Sequence, residues 1–458
     1  MGCICTPVVM KSSPHALISL GCRPLILVAV LASPFPSQAG SFYLEEQSVR
    51  DSGRASAGQS AVSEDAASVF HNPASAAELD STQITVGGYA ALVRADLDDT
   101  GSEIVTPGTL ASTAGGAATR GGDGGNPFGS QPLLSMASGF PLGDERTSLA
   151  LSATVPFGIQ SDYGSTWFGR YDSTRTDLTV AEASATLGRR VNDRLSAGVS
   201  LVLRYARAEL ERALPDPLEP AGSSPATDGR FSVEGDEWVI GYAAGLRYDP
   251  LPGTTVGVAY RSGSDLEMKG HTRLSGLRGP LAVENGRVGS SIELRIPDLL
   301  MLGIRQEITP RLTLLGQATR FDWGDFEDVE VELEGGRRIV NPQGYHDSWA
   351  VSLGAEYVWS ERLTLRTGAQ VDRTPVDSAR RSARTPDADR LRVSLGFTYR
   401  LRDDVDLDFA YTHVFVEDSR IDRTDTVFEG TPVASTIHTR ARAEASADVI
   451  GVALRYRF

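Results

Sequence analysis

The sequence predicts an all-β protein: a transmembrane antiparallel β-barrel of about 14 strands, plugged by a small N-terminal helical hatch. Three observations predict this fold class. The chain begins with an export signal but has no later apolar helix of membrane length. Apolar and polar residues alternate along successive segments. Short turns and long loops also follow one another in a regular rhythm.

The first 39 residues are typical of a cleaved secretory signal peptide. They hold no acidic residue, carry Lys11 and Arg23, and contain the apolar run Pro24–Ala32 before a small-residue "SQA" end. We therefore divide the chain into a signal peptide (1–39), a hatch (40–81) and a barrel (82–458). Export of a barrel indicates the outer membrane of a Gram-negative bacterium.

Composition excludes several classes of function. All three cysteines lie in the signal peptide, so the exported chain has no thiol for a disulfide, a metal site or a nucleophile. The formal net charge is −15, and loss of the signal peptide makes it more negative. This charge argues against nucleic acid as a partner. No later apolar stretch approaches the roughly 20 residues of a membrane helix.

Period-two alternation is clearest near the C-terminus. In "DVIGVALRYRF" (448–458) every second residue from Ile450 is large and apolar, and "RLRVSLGFTYRL" (390–401) alternates in the same way. This pattern predicts a sheet with one apolar and one polar face. The candidate strands are residues 82–93, 132–141, 148–157, 175–190, 194–211, 236–249, 253–268, 290–304, 311–322, 348–358, 362–373, 389–400, 404–415 and 446–458.

Loop lengths separate a barrel from a soluble sandwich. Short turns such as "EITPRL" and "WSERL" alternate with long loops such as 324–347 and 416–445. An even strand count places both ends of the barrel in the periplasm and every long loop on the outside. Aromatic residues near strand ends suit interfacial girdles, although β-propensity alone also favours them. They are Tyr248, Trp323, Trp349, Tyr357, Trp359, Tyr399 and Phe458.

The stretch "SEDAASVFHNPASAAEL" (63–79) predicts a short helix before the first strand. Ser63 suits an N-cap, Glu64 and Asp65 suit the first turn, and Asn72-Pro73 ends the helix. The segment is too small for an independent domain, so we expect it to plug the barrel.

This stretch also carries a resemblance. "SFYLEEQSVRDSGRASAGQSAVSEDAASVFHNPASAAEL" (41–79) is similar to the hatch of the FadL family of outer-membrane long-chain fatty-acid transporters, and segments 203–212 and 366–401 resemble further family segments. The resemblance implies a plugged fourteen-stranded barrel. It also implies passive uptake of hydrophobic compounds, most of all long-chain fatty acids, with lateral release and no cofactor.

The resemblance assigns roles to individual residues. Phe42 matches the phenylalanine that reaches into the ligand pocket, and Arg212 matches the basic residue facing the ligand carboxylate. Asn72, Pro73 and Ala74 match the hatch motif. The alternatives are a frayed terminus for Phe42, a strand-end arginine in water for Arg212, and a simple helix stop for the motif.

Two further matches concern the wall and the head-group site. Pro156, Phe157 and Gly158 lie where the family's third strand kinks to make a lateral opening, although a strand that simply ends before a loop reads the same way. A second basic position of the family falls on Asn341, which weakens the assignment of a fatty-acid carboxylate.

Other functions also fit these sequence features. An aromatic hydrocarbon is an alternative ligand within the family, and a hydrolase, a general porin or an adhesin are alternatives outside it. No HExxH or GxSxG motif occurs, and His346–Asp347 is the single dyad-like pair, so we predict no enzyme, catalytic residue or metal. We expect a monomer surrounded by outer-membrane lipid and lipopolysaccharide.

Overall fold

Fourteen antiparallel strands close into a barrel in the computed structural model, which describes residues 41–107, 116–219 and 223–458. The predicted signal peptide, residues 1–39, lies outside the described residues. The strands are β1 (Gln83–Asp99), β2 (Ser130–Pro141), β3 (Thr147–Asp162), β4 (Arg175–Asn192), β5 (Leu195–Leu214), β6 (Gly229–Leu251), β7 (Thr254–Arg261 and Ser264–Ser275), β8 (Gly286–Ile296 and Leu299–Thr309), β9 (Leu312–Phe321), β10 (Ser348–Ser360), β11 (Leu363–Asp372), β12 (Arg390–Arg402), β13 (Val405–Val416 and Ser419–Val427) and β14 (Ser435–Arg457).

The first and last strands pair and close the barrel. β1 runs antiparallel to β14, from Gln83 opposite Arg457 to Asp99 opposite Ala441. Closure leaves no sheet edge exposed to lipid, where unpaired backbone groups are costly. The predicted architecture and strand number are confirmed.

Several strands extend further outward than the sequence predicts. β6 begins at Gly229, where alternation predicts residue 236, and β14 begins at Ser435, where it predicts residue 446. Beyond the lipid the outward face meets water, and the apolar residues there lie on the inward face, as Phe231, Val233 and Ile437 do. The outward apolar alternation on which the strand assignment depends therefore ends before the strand does.

The lipid-facing band is bounded by outward aromatic side chains. Trp238 and Tyr248 mark its outer and inner edges on β6, and Trp349 and Trp359 mark them on β10. Ten residues along a tilted strand rise about 25 Å, the height of the apolar band of such barrels. The girdle assignment of Trp323 is wrong, because its side chain is fully buried inside the barrel.

Residues 41–82, here called the hatch segment, contain short helical turns in place of one helix. They are an α-helical turn (Val49–Ser52) and two 3₁₀-helices (Ala66–Phe70 and Pro73–Glu78). Ser63 is not the N-cap, because the Asp65 carboxylate accepts the Ala67 N–H at 2.9 Å and caps the first 3₁₀-helix. None of the described helices is long and apolar enough to cross a membrane.

The hatch segment packs against a set of wall glycines, here called the glycine ring. A Cβ added to Gly198 would collide with the Pro73 carbonyl oxygen, and one added to Gly368 would collide with that of Arg54. The ring consists of Gly188, Gly198, Gly245, Gly257, Gly303, Gly354, Gly368 and Gly396, on β4–β8 and β10–β12. These positions let the hatch main chain touch the wall directly.

Buried ion pairs hold the other side of the hatch segment. Arg50 bonds to Asp408 on β13 at 3.0 Å, and Arg54 bonds to Glu356 on β10 at 2.5 Å. Such pairs fix position more than they add stability, because both charges give up water.

Two hatch carboxyls carry strongly raised pKa values. Burial raises the pKa of Glu45 to about 7, although the Arg392 charge opposes the shift and Ser56 donates to the carboxyl at 2.8 Å. Burial likewise raises the pKa of Asp51 to about 7. The hatch segment therefore holds two carboxyl groups that resist ionisation below neutral pH.

Candidate functional site

The wall pairing changes halfway along β3. β2 pairs with β3 only through Met136–Pro141 and Ser148–Ala153, whereas its outer residues 130–135 pair with β1. On the other side the β3–β4 register shifts between Thr154 and Phe157. Pro156 has no N–H to give to a ladder, and consecutive residues here are buried in place of alternate ones.

The start of the hatch segment occupies this break. Leu44 N–H donates to the Pro156 carbonyl at 2.7 Å, and Gly158 N–H donates to the Phe42 carbonyl at 2.8 Å. Tyr43 and Phe157 thus face each other as an isolated antiparallel bridge. Residues 42–44 replace the missing wall partner of β3, so the wall break and the hatch segment form one bonded unit.

Aromatic rings gather around Phe42 inside the barrel. Its ring centroid lies 4.7 Å from that of Trp323, 5.6 Å from Phe326 and 6.2 Å from Phe157. We define the aromatic cluster as Phe42, Tyr43, Phe157, Phe321, Trp323, Phe326 and Tyr345. The cavity beside neighbouring Ser41 measures about 20 Å³, room for about one water molecule.

An arginine cluster lies at the outer end of the interior. It consists of Arg212, Arg384 and Arg423, and Asp172 and Asp425 are the carboxylates whose charges reach Arg212. The Arg212 guanidinium lies 5.5 Å from the Phe231 ring centre. It makes no hydrogen bond or ion pair with any described residue. Three guanidinium groups thus face two carboxylates.

The other two arginines are held by the protein. Arg423 donates to Asp425 at 2.7 Å and to the Asn341 side-chain oxygen. Arg384 donates to the Asp172 carbonyl at 2.8 Å, but its buried Nε has no acceptor. Burial lowers the pKa of Arg384 to about 10, which the nearby Asp172 opposes. An incoming anion would relieve this excess of positive charge.

The two clusters meet at Tyr345. Its ring centroid lies 4.7 Å from that of Phe326, and its hydroxyl lies 3.2 Å from Thr385 Oγ1, one residue after Arg384. Arg423 also interacts electrostatically with the Tyr345 hydroxyl. A molecule with a charged head and an apolar body would therefore find both surroundings in continuity.

A comparison with protein-family models shows which family the chain belongs to. The profile described as outer membrane protein transport protein (OMPP1/FadL/TodX) matches residues 29–458. The chain belongs to this family. The predicted family membership and outer-membrane localisation are confirmed.

Two relatives identified by sequence align with most of this chain. A long-chain fatty acid transport protein of Escherichia coli is 24% identical over 86% of this chain and 90% of its own. Outer membrane protein P1 of Haemophilus influenzae is 26% identical over 95% of this chain and 99% of its own.

Solved structures share the fold of this family member. A Pseudomonas aeruginosa FadL homologue superposes with a TM-score of 0.80 at 24% identity, covering 92% of this chain and 100% of its own. The toluene transporter TodX of Pseudomonas putida superposes with a TM-score of 0.62 at 18% identity, covering 92% of this chain and 98% of its own.

The predicted site residues fall in three places in this family member. Phe42 lies in the aromatic cluster, Arg212 in the arginine cluster, and Pro156, Phe157 and Gly158 at the wall break.

The predicted hatch motif lies in the hatch segment, where it faces β6. Asn72 accepts the Ala74 N–H at 2.9 Å and donates to the carbonyls of Ser60 at 2.6 Å and Leu246 at 3.0 Å. Pro73 starts the second 3₁₀-helix. One amide side chain thus caps a helix and ties the hatch segment to the wall.

Sequence reasoning missed Arg384 and Arg423. Both lie in segments that read as outer loops, where an arginine is ordinarily solvated. The resemblance assigns the family's second basic position to Asn341, and the Arg423 guanidinium donates to the side-chain oxygen of that residue. The missing basic residue at Asn341 was the available signal, because it suggests that an arginine from another segment supplies the positive charge there.

The dyad hypothesis finds no support in the geometry. Asp347 pairs with Arg320 at 2.5 Å, and the exposed His346 ring lies 3.0 Å from the Asp347 main-chain oxygen, not its carboxylate. Within the described ranges no group of three or more His, Cys, Asp or Glu residues is arranged to hold a metal ion.

Proposed function

We propose that the protein takes up long-chain fatty acids by passive diffusion through the plugged barrel, with lateral release at the β3 break. The excess positive charge of the arginine cluster carries this proposal. A partly buried cation without a partner is costly, and a carboxylate supplies the bidentate partner that a guanidinium prefers. A channel for neutral hydrocarbons gains nothing from that charge.

Uptake of an aromatic hydrocarbon is the second candidate, and the aromatic cluster favours it. Seven rings pack around the start of the hatch segment, and ring–ring contacts suit a small aromatic ligand as well as an acyl chain. The toluene transporter TodX, whose crystal structure is known, has the same fold as this chain.

The proposal extends to the surroundings of the barrel. Because β1 and β14 close the wall within one chain, we propose that a monomer is the transport unit. Above the apolar band, exposed charged side chains such as Arg94 and Arg442 face outward, where we propose contact with lipopolysaccharide.

Uptake by a strain lacking its own transporter tests the proposal. Labelled oleate and labelled toluene are supplied to cells with and without the protein, and to cells with Arg212→Met. The charge-assisted contact predicts about a ten-fold loss of oleate uptake in this variant, with toluene uptake unchanged.

Arg207→Met is the matched control, since Arg207 lies exposed on the outer face of the same strand. Equal oleate uptake by wild type and Arg212→Met contradicts the carboxylate assignment. Toluene uptake without oleate uptake favours the second candidate.

A further inference from the structure

Trp323 carries a buried hydrogen-bond donor that nothing satisfies. Its side chain is fully buried, and its Nε1–H has no acceptor among the described residues. The other fully buried tryptophan behaves differently, since Trp167 Nε1–H donates to the Ser173 carbonyl at 2.7 Å. Buried polar groups in native proteins are normally paired, so the unpartnered indole N–H of Trp323 requires an explanation.

Two more unpartnered polar atoms lie in the same part of the barrel. The Tyr43 hydroxyl and the Ser348 hydroxyl are both buried and lack partners among the described residues. Ser348 stands opposite Phe321 in the β9–β10 register, and the Tyr43 ring lies 5.1 Å from that of Phe321. Trp323 follows Phe321 by two residues, so the three residues that carry these polar atoms lie around the same part of the wall.

The chemistry of these polar atoms indicates which ligand group would pair with them. An indole N–H donates and never accepts, whereas a hydroxyl does either. An unsubstituted acyl chain or a hydrocarbon offers no acceptor and leaves the indole N–H unpaired. A hydroxyl, keto or ether oxygen along the chain pairs with it.

We propose that the aromatic cluster selects oxygenated fatty acids, with the chain oxygen accepting from Trp323 Nε1–H while the carboxylate binds the arginine cluster. This rests on the proposed fatty-acid function and narrows its substrate class. The Trp323 and Tyr345 ring centroids are 5.8 Å apart, and Tyr345 adjoins the arginine cluster, so one chain reaches both ends.

Paired uptake measurements test the proposal. Cells expressing wild type or Trp323→Phe receive labelled octadecanoic acid, 10-hydroxyoctadecanoic acid or 12-hydroxyoctadecanoic acid. Phenylalanine keeps an aromatic ring but removes the N–H. The ratio of hydroxylated to parent uptake is expected to fall about three- to ten-fold in the variant for at least one isomer, as loss of one hydrogen bond predicts.

Two further variants separate binding from packing. Trp167→Phe removes an N–H that is already satisfied, and it is expected to leave the ratio at the wild-type value. Tyr43→Phe removes a second unpartnered donor and keeps the ring, and it is expected to lower the ratio. It replaces Trp323→Phe as the test if that variant does not fold.

An unchanged ratio in Trp323→Phe overturns the inference, and an equal fall in uptake of all three acids is the form of that result that indicates a packing role alone. If Trp323→Phe does not fold, an unchanged ratio in Tyr43→Phe overturns it. If wild-type cells take up no octadecanoic acid, the proposed function itself fails, and that result is distinct from the first two.

Discussion

At the scale of single residues, buried charge is distributed unevenly through the interior. The hatch segment holds carboxyls that resist ionisation, and the outer interior holds guanidinium groups in excess. Neither feature follows from residue type, because an isolated Glu or Arg in a polar stretch reads as solvated surface. Only the fold brings Glu45 against Asp372 or Arg384 against Arg423.

Glu45 makes the stability of the protein depend on pH. Its folded-state pKa of about 7 lies above the ordinary value. The free-energy cost of ionising this buried carboxyl in the folded state is therefore absent below the unfolded pKa and complete above pH 7. Stability is therefore expected to fall as pH rises from about 4.5 to 7. Glu45→Gln should remove about 1–3 kcal/mol of that fall, leaving the part due to Asp51.

Urea unfolding at pH 5 and pH 8 measures this effect. Exposed Glu429→Gln serves as the control and should track the wild type at both values. A Glu45→Gln variant with the full wild-type pH slope would show that this carboxyl ionises freely in the fold.

At the scale of elements, the strands were predictable and their inner contacts were not. Alternation located all fourteen strands because a lipid-facing side must be apolar, which is a local constraint. The glycine ring depends on contacts between positions far apart in sequence. Its signal is nonetheless visible: "TLGRR", "SAGVS", "AAGLRY" and "TVGVAY" each place one glycine in the inner half of a strand.

Filling one position of the ring should displace the hatch segment. Gly198→Val places methyl groups where the Pro73 carbonyl lies, and the main chain there has no room to yield. We expect a water-filled leak, measured as increased conductance in planar bilayers and greater vancomycin sensitivity.

Gly88→Val is the control on another strand. An added Cβ at Gly88 meets nothing closer than Leu134 Cδ2 at 3.5 Å, so the barrel should stay sealed. Equal conductance of the two variants would mean that the ring does not seat the hatch segment.

At the scale of the whole molecule, the wall break and the start of the hatch segment act as one closure. Tyr43 and Phe157 form a non-hydrogen-bonded antiparallel pair, because the flanking residues carry both hydrogen bonds. Such pairs place Cα atoms about 4.5 Å apart, within reach of a disulfide. The family resemblance predicts a kink at Pro156–Gly158, but nothing in it pointed to the three hatch residues that bond to β3 there.

A reversible crosslink tests whether this closure controls uptake. The described residues contain no cysteine, so Tyr43→Cys with Phe157→Cys creates a single defined pair. Oxidation is expected to abolish oleate uptake and reduction to restore it. Each single-cysteine variant should ignore the oxidant, and uptake by the crosslinked protein equal to that of its reduced form would place the exit elsewhere.

The glycine ring also bears on how such a protein diverges. At Gly198, Gly257 and Gly368 the wall touches carbonyl oxygens of the hatch segment, which every amino acid possesses. At these positions the wall fits the path of the hatch main chain whatever its side chains are, whereas the ion pairs with β10 and β13 require Arg50 and Arg54. A hatch segment from a distant relative should therefore fit this barrel wherever its main chain follows the same course and these charges are kept.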